Sequence, residues 1–215
     1  MLFMVLFTSS VLAGVVIGGT RVIYPADKKT VSVSVMSDKT SGVYLVQSWI
    51  EPDVSGQKSA FIITPPLFRI NPRGENLLRV VFTGGILPQD RESLFWLNVK
   101  SIPAIDDSAL QDNTLQMVVK SRIKLFYRPS NLAGTPELCW QNLQVDYTDK
   151  RLTITNPGAY YVSFYSFKVD GKEYNDVSMI PPKGNISLSV EKASRVSWQA
   201  INDYGGIVPA VHHQL

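Results

Sequence analysis

Residues 115–129 read Leu-Gln-Met-Val-Val-Lys-Ser-Arg-Ile-Lys-Leu-Phe-Tyr-Arg-Pro. Apolar side chains fill most odd positions and polar or basic ones most even positions, which is the period-two pattern of a β-strand. Proline cannot donate to a sheet, so Pro129 ends this strand. Three apolar side chains at alternate positions open it: Leu115, Met117 and Val119. Four basic side chains follow: Lys120, Arg122, Lys124 and Arg128.

A strand that is apolar at one end and cationic at the other can pair with a partner and hold an anion. The alternative interpretation is an ordinary half-buried core strand with a solvated basic face. Six further strand-like runs precede it: Thr20–Pro25, Val31–Val35, Tyr44–Ile50, Phe61–Ile63, Leu77–Phe82 and Leu94–Val99. Seven short strands with regular turn signals and no helical period predict a β-sandwich.

Residues 130–136, Ser-Asn-Leu-Ala-Gly-Thr-Pro, are typical of a domain junction. Beyond them the strand pattern resumes, and Asp170-Gly171 is a strong two-residue hairpin signal. Strands are predicted at Leu138–Trp140, Leu143–Tyr147, Arg151–Thr155, Tyr160–Val169, from Lys172, and at Val177–Ile180, Ile186–Val190 and Ser197–Ile201. The chain is therefore predicted to be all-β, with one sandwich over residues 14–129 and a smaller one over 130–215.

Residues 1–13 form a short apolar run that ends in Val11-Leu12-Ala13, a small-residue cleavage pattern. They predict a secretory signal peptide and export of the mature chain. The rival interpretation is an uncleaved membrane anchor, because the first charged side chain is Arg21. Glycines and hydroxyl residues within that span make it a poor membrane helix.

The composition argues against several kinds of chemistry. The two histidines are His212 and His213, at the end of the chain, so no catalytic Ser-His or Cys-His arrangement is expected. One cysteine, Cys139, allows no intrachain disulfide and no zinc site. The net charge is +3, which is weak for nucleic-acid binding. We expect no catalytic residue, metal, cofactor, small-molecule substrate or nucleic acid.

Several segments together resemble one family, the PapD-like periplasmic chaperones of chaperone–usher pilus assembly. They stand in the family order and span essentially the whole mature chain. The segments are Thr20-Arg21-Val22-Ile23-Tyr24-Pro25, Pro65-Pro66-Leu67-Phe68-Arg69, Leu87 to Trp96, Ile123-Lys124-Leu125-Phe126-Tyr127-Arg128-Pro129, Asn156-Pro157 with Tyr160-Tyr161, and Ile201 to Gly206. The loop before residue 115 lacks cysteines, which favours the short-loop branch of the family.

The resemblance implies two immunoglobulin-like sandwiches set as an L or boomerang, with a cleft between them. It implies that Arg21 and Lys124 bind the terminal carboxylate of a pilus subunit in that cleft. Leu115, Met117 and Val119 would then complete the subunit by donating a strand to its groove. The implied partners are pilus subunits and an outer-membrane usher, the implied compartment is the periplasm, and the implied role is not enzymatic.

The resemblance also matches Glu92, Arg128 and Asp203 to an interdomain salt bridge. Lys124 has an even number, whereas Leu115, Met117 and Val119 have odd numbers, so a regular strand would place Lys124 on the opposite face. A bulge or twist between them is therefore expected. The exposed strand predicts weak self-association of the free protein. A secreted two-domain immunoglobulin-like adhesin is the alternative, but it leaves the Arg21–Lys124 pair and the apolar strand unexplained.

Overall fold

The computed structural model describes residues 14–39, 42–54, 56, 58–104 and 116–215. The first sandwich contains β1 (Val15–Ile17), β2 (Arg21–Pro25), β3 (Val31–Ser37), β4 (Tyr44–Pro52), β5 (Phe61–Thr64), β6 (Leu67–Ile70), β7 (Glu75–Phe82), β8 (Ser93–Pro103) and β9 (Val119–Arg128). The second contains α1 (Pro136–Gln141), β10 (Gln144–Thr148), β11 (Arg151–Asn156), β12 (Val162–Val169), β13 (Lys172–Glu173), β14 (Met179–Ile180), β15 (Gly184–Ser189), β16 (Arg195–Ala200) and β17 (Val211–Gln214).

The N-terminal sandwich packs a sheet of order β1-β3-β7-β5 on a sheet of order β2-β9-β8-β4-β6. Alternate residues of both sheets point inward, as the period-two pattern requires. Val35 and Leu78 come from the first sheet, and Val46, Leu97 and Leu125 from the second; all five are fully buried in one core. The long central strands β8 and β9 therefore have one face on this core and one face outside it.

The C-terminal sandwich has its own core between the sheet β10-β11-β15 and the sheet built on β12, β16 and β17. Ile154 and Leu152 of β11 are fully buried there, opposite Phe167 and Trp198. The Trp198 indole N–H donates to the Trp140 carbonyl over 2.8 Å, which ties α1 to this core. The all-β prediction is confirmed.

One strand of the N-terminal domain has a half-open edge. β9 pairs antiparallel with β8 along its length, from Val119 to Tyr127. On its other side it pairs with β2, in parallel, and only from Lys124 to Arg128. Within the described part of the chain, residues 119–123 have no strand on that side, so their outward backbone groups form an edge of the sheet, which is a template for another strand.

The structure corrects three sequence-based expectations. The long strand begins at Val119, so Met117 lies outside it, and Leu115 is beyond the described residues. The β8–β9 register continues without a shift, so the expected bulge between Val119 and Lys124 is wrong. Residues 138–140 belong to a helix and not to a strand, because Thr135 caps its N-terminus and Pro136 occupies its first turn.

Three short strands, β1, β6 and β17, are not among the predicted strands. The Thr64–Pro65 peptide bond between β5 and β6 is cis. The predicted signal peptide, residues 1–13, lies outside the described residues, and the domain boundary at 129/130 stays a prediction. Within the described ranges, no helix is long and apolar enough to cross a membrane.

Candidate functional site

Two cations lie side by side where the open edge of β9 ends. Arg21 opens β2 and is the register partner of Lys124 on β9. Residues that face each other in a parallel pair project to the same face of the sheet. The parallel β2–β9 pairing thus brings together two positive charges that lie far apart in sequence. Among the described residues, neither side chain has a carboxylate within salt-bridge distance.

Both cations reach across to the C-terminal domain. An Nη1 hydrogen of Arg21 is donated to the Ile201 carbonyl over 2.9 Å. The Nζ of Lys124 donates to the Ser163 hydroxyl over 3.1 Å. The Nε of Arg21 is buried and has no partner in the part of the chain that the structure describes. A buried N–H without an acceptor is costly, so this group is poised to receive an anion.

The electrostatics of the pair are those of a partly desolvated anion site. Burial, and to a smaller extent the charge of Arg21, together lower the pKa of Lys124 to about 8. Burial also lowers the pKa of Arg21, while the charges of Asp203 and Glu92 oppose that shift. A carboxylate placed between the two cations would relieve their repulsion and accept charge-assisted hydrogen bonds.

The open edge and the cation pair form one continuous surface. β2 begins at Arg21, so an added strand at residues 119–123 would lie in line with β2 and stop there. If its C-terminal carboxylate met Arg21 and Lys124, the added strand would run parallel to β9. The carboxylate would then lie at the sheet edge, which explains why β9 needs no bulge.

The side chains before the open edge are apolar and exposed. Met117 is 71% exposed, Val118 44% and Val119 49%. Val119 shares its parity with Ile123 and Leu125, which pack in the N-terminal core. Its side chain therefore extends the core side of β9 beyond the N-terminal sandwich, as Met117 would if the strand continued. Leu115, the third predicted residue of this set, lies outside the described residues.

A second ionic cluster joins the two domains. Arg128 donates from Nε to Glu92 over 2.7 Å, and from Nη1 and Nη2 to Asp203 over 2.6 and 2.9 Å. The other oxygen of Glu92 accepts the Tyr161 backbone N–H over 2.8 Å. Tyr161 and Asp203 belong to the C-terminal domain, so the structure brings the three predicted residues together across the domain junction.

Burial controls the charges of this cluster. Glu92 is only 3% exposed, and burial raises the pKa of its carboxyl although Arg128 opposes the shift. Burial lowers the pKa of Arg128, but the Asp203 hydrogen bonds and the charge of Glu92 outweigh it and raise that pKa. Arg128 also stacks over Tyr160, 5.1 Å from the ring centroid. Arg128 thus holds the carboxylates of both domains.

Sequence reasoning missed the C-terminal side of the cleft. Ser163, the Ile201 carbonyl and the Tyr161 N–H all contact predicted site residues. Two of these three groups are backbone atoms, which carry no residue-type signal. Ser163 stands in an otherwise apolar run and is 2% exposed in the structure. A lone serine among apolar residues is the one sequence signal that could have indicated it.

No group of three or more His, Cys, Asp or Glu side chains suited to a metal occurs in the described ranges. The site therefore consists of two cations, an open strand edge and an apolar stretch. Such a combination is suited to a carboxylate-ended strand of another polypeptide, so the fold and site indicate the class of strand-binding proteins.

Comparison with known families agrees with that class. Residues 14–133 match the family model described as pili and flagellar-assembly chaperone, PapD N-terminal domain. Residues 139–212 match the model described as pili assembly chaperone PapD, C-terminal domain. The chain belongs to the PapD family of pilus assembly chaperones, as the resemblance indicated.

Individual relatives support the assignment over nearly the whole chain. The chaperone protein FimC of Escherichia coli is 42% identical over 200 residues, which cover 92% of this chain and 83% of that protein. The chaperone protein LpfB of Salmonella typhimurium is 40% identical over 202 residues, covering 92% and 87%. These relatives are chaperones, a role that is not enzymatic.

Solved structures confirm the predicted fold class. The periplasmic chaperone SfaE matches with a TM-score of 0.81 at 39% identity, covering 94% of this chain and all of that one. The SafB chaperone of Salmonella enterica, solved in complex with the SafA pilin, matches with a TM-score of 0.85 at 31% identity, covering 96% and 99%. The adhesin alternative is thereby disfavoured.

Proposed function

We propose that this chaperone acts in the periplasm, where it binds pilus subunits, completes their fold with its own β9 edge and passes them to an outer-membrane usher. The observation that carries the proposal is the open edge of β9, which ends at Arg21 and Lys124. The SafB relative, whose structure includes a pilin, supports a subunit as the partner.

Backbone pairing would give affinity and the cation pair would give register. Residues 119–123 can hydrogen-bond an incoming strand, which is the β-augmentation mode of peptide recognition. Pairing is possible in several registers unless one end of the strand is fixed. Arg21 and Lys124 would fix the register by binding the C-terminal carboxylate of the subunit, because each subunit chain has only one such group.

Leu115, Met117 and Val119 would fill successive pockets of the subunit. In an extended strand their side chains would stand about 6.6 Å apart on one side. Burying each on the partner would contribute up to about 1.5–3 kcal/mol. The exposure of Met117 and Val119 in the free chain leaves most of that gain for binding. The same apolar stretch is expected to cause weak self-association of the free protein.

The proposed role requires no bond to be broken and therefore no enzyme, metal or cofactor. Arg128, Glu92 and Asp203 would act by holding the two domains at one angle, so that Ser163 and the Ile201 carbonyl stay beside the cation pair. The residues of the cleft come from both domains, and its geometry depends on that angle.

Co-expression with candidate pilus subunits tests the cation pair. We expect the unmodified chain to recover a soluble one-to-one complex, and Arg21→Ala and Lys124→Ala to lose most of it. Lys172→Ala is the matched control, because it removes an exposed lysine of the C-terminal domain. Circular dichroism of each free variant checks that it is folded.

Binding by both cleft variants at the level of the unmodified chain would show that the carboxylate anchor is misassigned. The chaperone SfaE with its own pilus subunit serves as a positive control. If that pair formed a complex and the unmodified chain recovered no candidate subunit, the proposed function would fail for the subunits tested.

The apolar stretch gives an independent prediction. Met117→Glu and Val119→Glu should each weaken subunit binding at least tenfold, since a buried unpaired carboxylate costs several kcal/mol. Val118→Glu, one residue away on the opposite parity, should bind nearly as the unmodified chain does. Pull-down yield and competition binding measure the difference. Equal loss in all three variants would contradict the proposed facing of the donor strand.

A further inference from the structure

The cleft-facing side of the N-terminal sheet carries basic side chains and tryptophans beyond the cation pair. We name this surface the cationic–aromatic face. It consists of Trp49, Trp96, Lys100, Lys120 and Arg122. The even residues of β9 share the side of Lys124, so Lys120 and Arg122 continue away from the carboxylate site. Lys120 lies about 13 Å from Lys124 along the strand.

The two tryptophans hold the β9 cations in place. The Lys120 Nζ is 4.9 Å from the ring centroid of Trp49, and the Arg122 guanidinium is 4.1 Å from that of Trp96. Both are cation–π contacts. The indole N–H of Trp49 donates to Glu51 over 2.7 Å, and that of Trp96 to Asp53 over 2.9 Å. The rings are therefore anchored, and the cations are preorganised on them.

The face carries more positive charge than its own acids neutralise. Lys100 and Lys120 are direct register partners on β8 and β9. Like charges at facing positions of two strands are destabilising. No carboxylate in the described ranges lies within 4.0 Å of either ammonium; Glu51 lies 3.9 Å from Arg122 and interacts with Lys120 only through longer-range electrostatics. Opposed lysines that cost stability in the free chain are explained if a partner brings negative charge to them.

The open β9 edge determines which part of a partner lies over this face. A strand added at residues 119–123 runs beside Lys120 and Arg122 before it reaches Arg21 and Lys124. Every second residue of that strand faces the same side as the two cations, and the intervening residues face the opposite side. The residues concerned are the last five or so of the partner chain.

We propose that the cationic–aromatic face is a second binding site, which takes an acidic side chain from the cleft-facing side of the subunit's C-terminal strand. Lys120 is the principal contact, and Arg122 supports it. The proposal rests on the proposed function and adds a preference among subunits. The chain would bind best those whose last residues carry Asp or Glu in addition to the terminal carboxylate.

A peptide scan tests this proposal. Short alternating Val–Thr peptides with a free C-terminal carboxylate serve as the host, and Glu or Gln is placed in turn at each of the five positions before the terminal residue. Binding to the full chain is measured by fluorescence competition at low salt. We expect Glu to bind about threefold to fivefold more tightly than Gln at every second position and equally at the positions between them.

Three controls isolate the face. Lys120→Gln should abolish the Glu preference while leaving the binding of the Gln peptides unchanged. Lys172→Gln is matched to it, because Lys172 also lies over an aromatic ring, 5.4 Å from Tyr174, but on the other domain. It should leave the preference intact. High salt should reduce the preference, because the exposed charges are screened.

The outcomes separate the two proposals. If free-acid peptides bind, amidated peptides bind poorly and Glu gives no alternating preference, the proposed function stands and this inference is wrong. A Glu preference at all positions, or one retained by Lys120→Gln, also overturns the inference. If no peptide binds the unmodified chain, the open edge itself does not accept a strand, and the proposed function fails with it.

Discussion

Replacing Arg128 with methionine should lower the free energy of unfolding by about 3 kcal/mol, because it leaves Glu92 buried without its cation. Glu92 is 3% exposed, so little solvent reaches the stranded carboxylate. The Arg128 side chain is 20% exposed. The expected loss therefore lies at the lower end of the range for removing one partner of a buried ion pair. Urea unfolding followed by tryptophan fluorescence should show a midpoint roughly 1 M lower.

A double variant distinguishes lost charge balance from lost packing. Arg128→Met with Glu92→Gln should recover most of the stability, since the buried carboxylate of Glu92 is gone, the 30% exposed side chain of Asp203 can be hydrated, and the amide oxygen can still accept the Tyr161 N–H. Lys183→Gln is the matched control, because it breaks the exposed interdomain pair with Asp90 and should change little. Equal midpoints for Arg128→Met and the unmodified chain would mean that the cluster does not hold the domains.

Lowering the pH should reduce the difference in the free energy of unfolding between Arg128→Met and the unmodified chain. Burial raises the pKa of Glu92, and without Arg128 nothing opposes that shift as strongly. A carboxyl whose folded-state pKa is raised contributes stability below its unfolded value and loses it as pH rises through the folded value. The deficit of the variant is therefore expected to be largest near neutral pH and smallest in mild acid.

The second large effect concerns the pH dependence of subunit binding. The pKa of Lys124 in the free chain is lowered to about 8, and a bound carboxylate would raise it because it favours the ammonium. Binding then takes up a proton once pH exceeds the free-state value. We expect affinity to be constant from pH 6 to about 7.5 and to fall by up to tenfold per unit above about pH 8.

The variant Lys124→Arg distinguishes the titration of the Lys124 ammonium from that of other groups in the chaperone and the subunit. The guanidinium stays charged across the range, so the variant should bind with a flat profile where the unmodified chain declines. The same subunit is used for both chains, so its own titration cancels in the ratio of the two affinities. Calorimetry in buffers of different ionisation enthalpy measures the proton uptake directly. Parallel profiles would mean that the carboxylate does not contact Lys124.

The strands were predictable because their signal is local. Alternation predicts β2, β3, β4 and β7 to within two residues of their observed bounds, whereas β8 continues four residues beyond its predicted end at Val99, to Pro103. The helix α1 shows where the local reading failed: the apolar run Leu138–Trp140 favoured a strand, although Thr135, Pro136 and Glu137 carry a cap, a first-turn proline and a first-turn acid. The capping signals were the better guide, since they report backbone hydrogen bonding directly.

The expected bulge in β9 failed for a different reason. The bulge was expected because Lys124 and the pair Met117 and Val119 fall on opposite faces of a regular strand. That expectation assumed that all three side chains must contact the same surface of the partner. In the structure β9 is regular, and the open edge beside residues 119–123 lies between its two faces. A strand bound at that edge can meet apolar side chains on one face and cations on the other.

Local patterns in the amino-acid sequence establish the fold class and the apolar and basic halves of the long strand, and motifs that stand in the family's order establish the family. The pairing of β2 with β9 from Lys124 onward, which creates both the open edge and the Arg21–Lys124 pair, is visible only in the folded chain. So is the completion of the cleft by Ser163, Ile201 and Tyr161 from the other domain. Alternation is a property of neighbouring residues, whereas these contacts depend on long-range pairing between segments far apart in the chain, which no local pattern encodes.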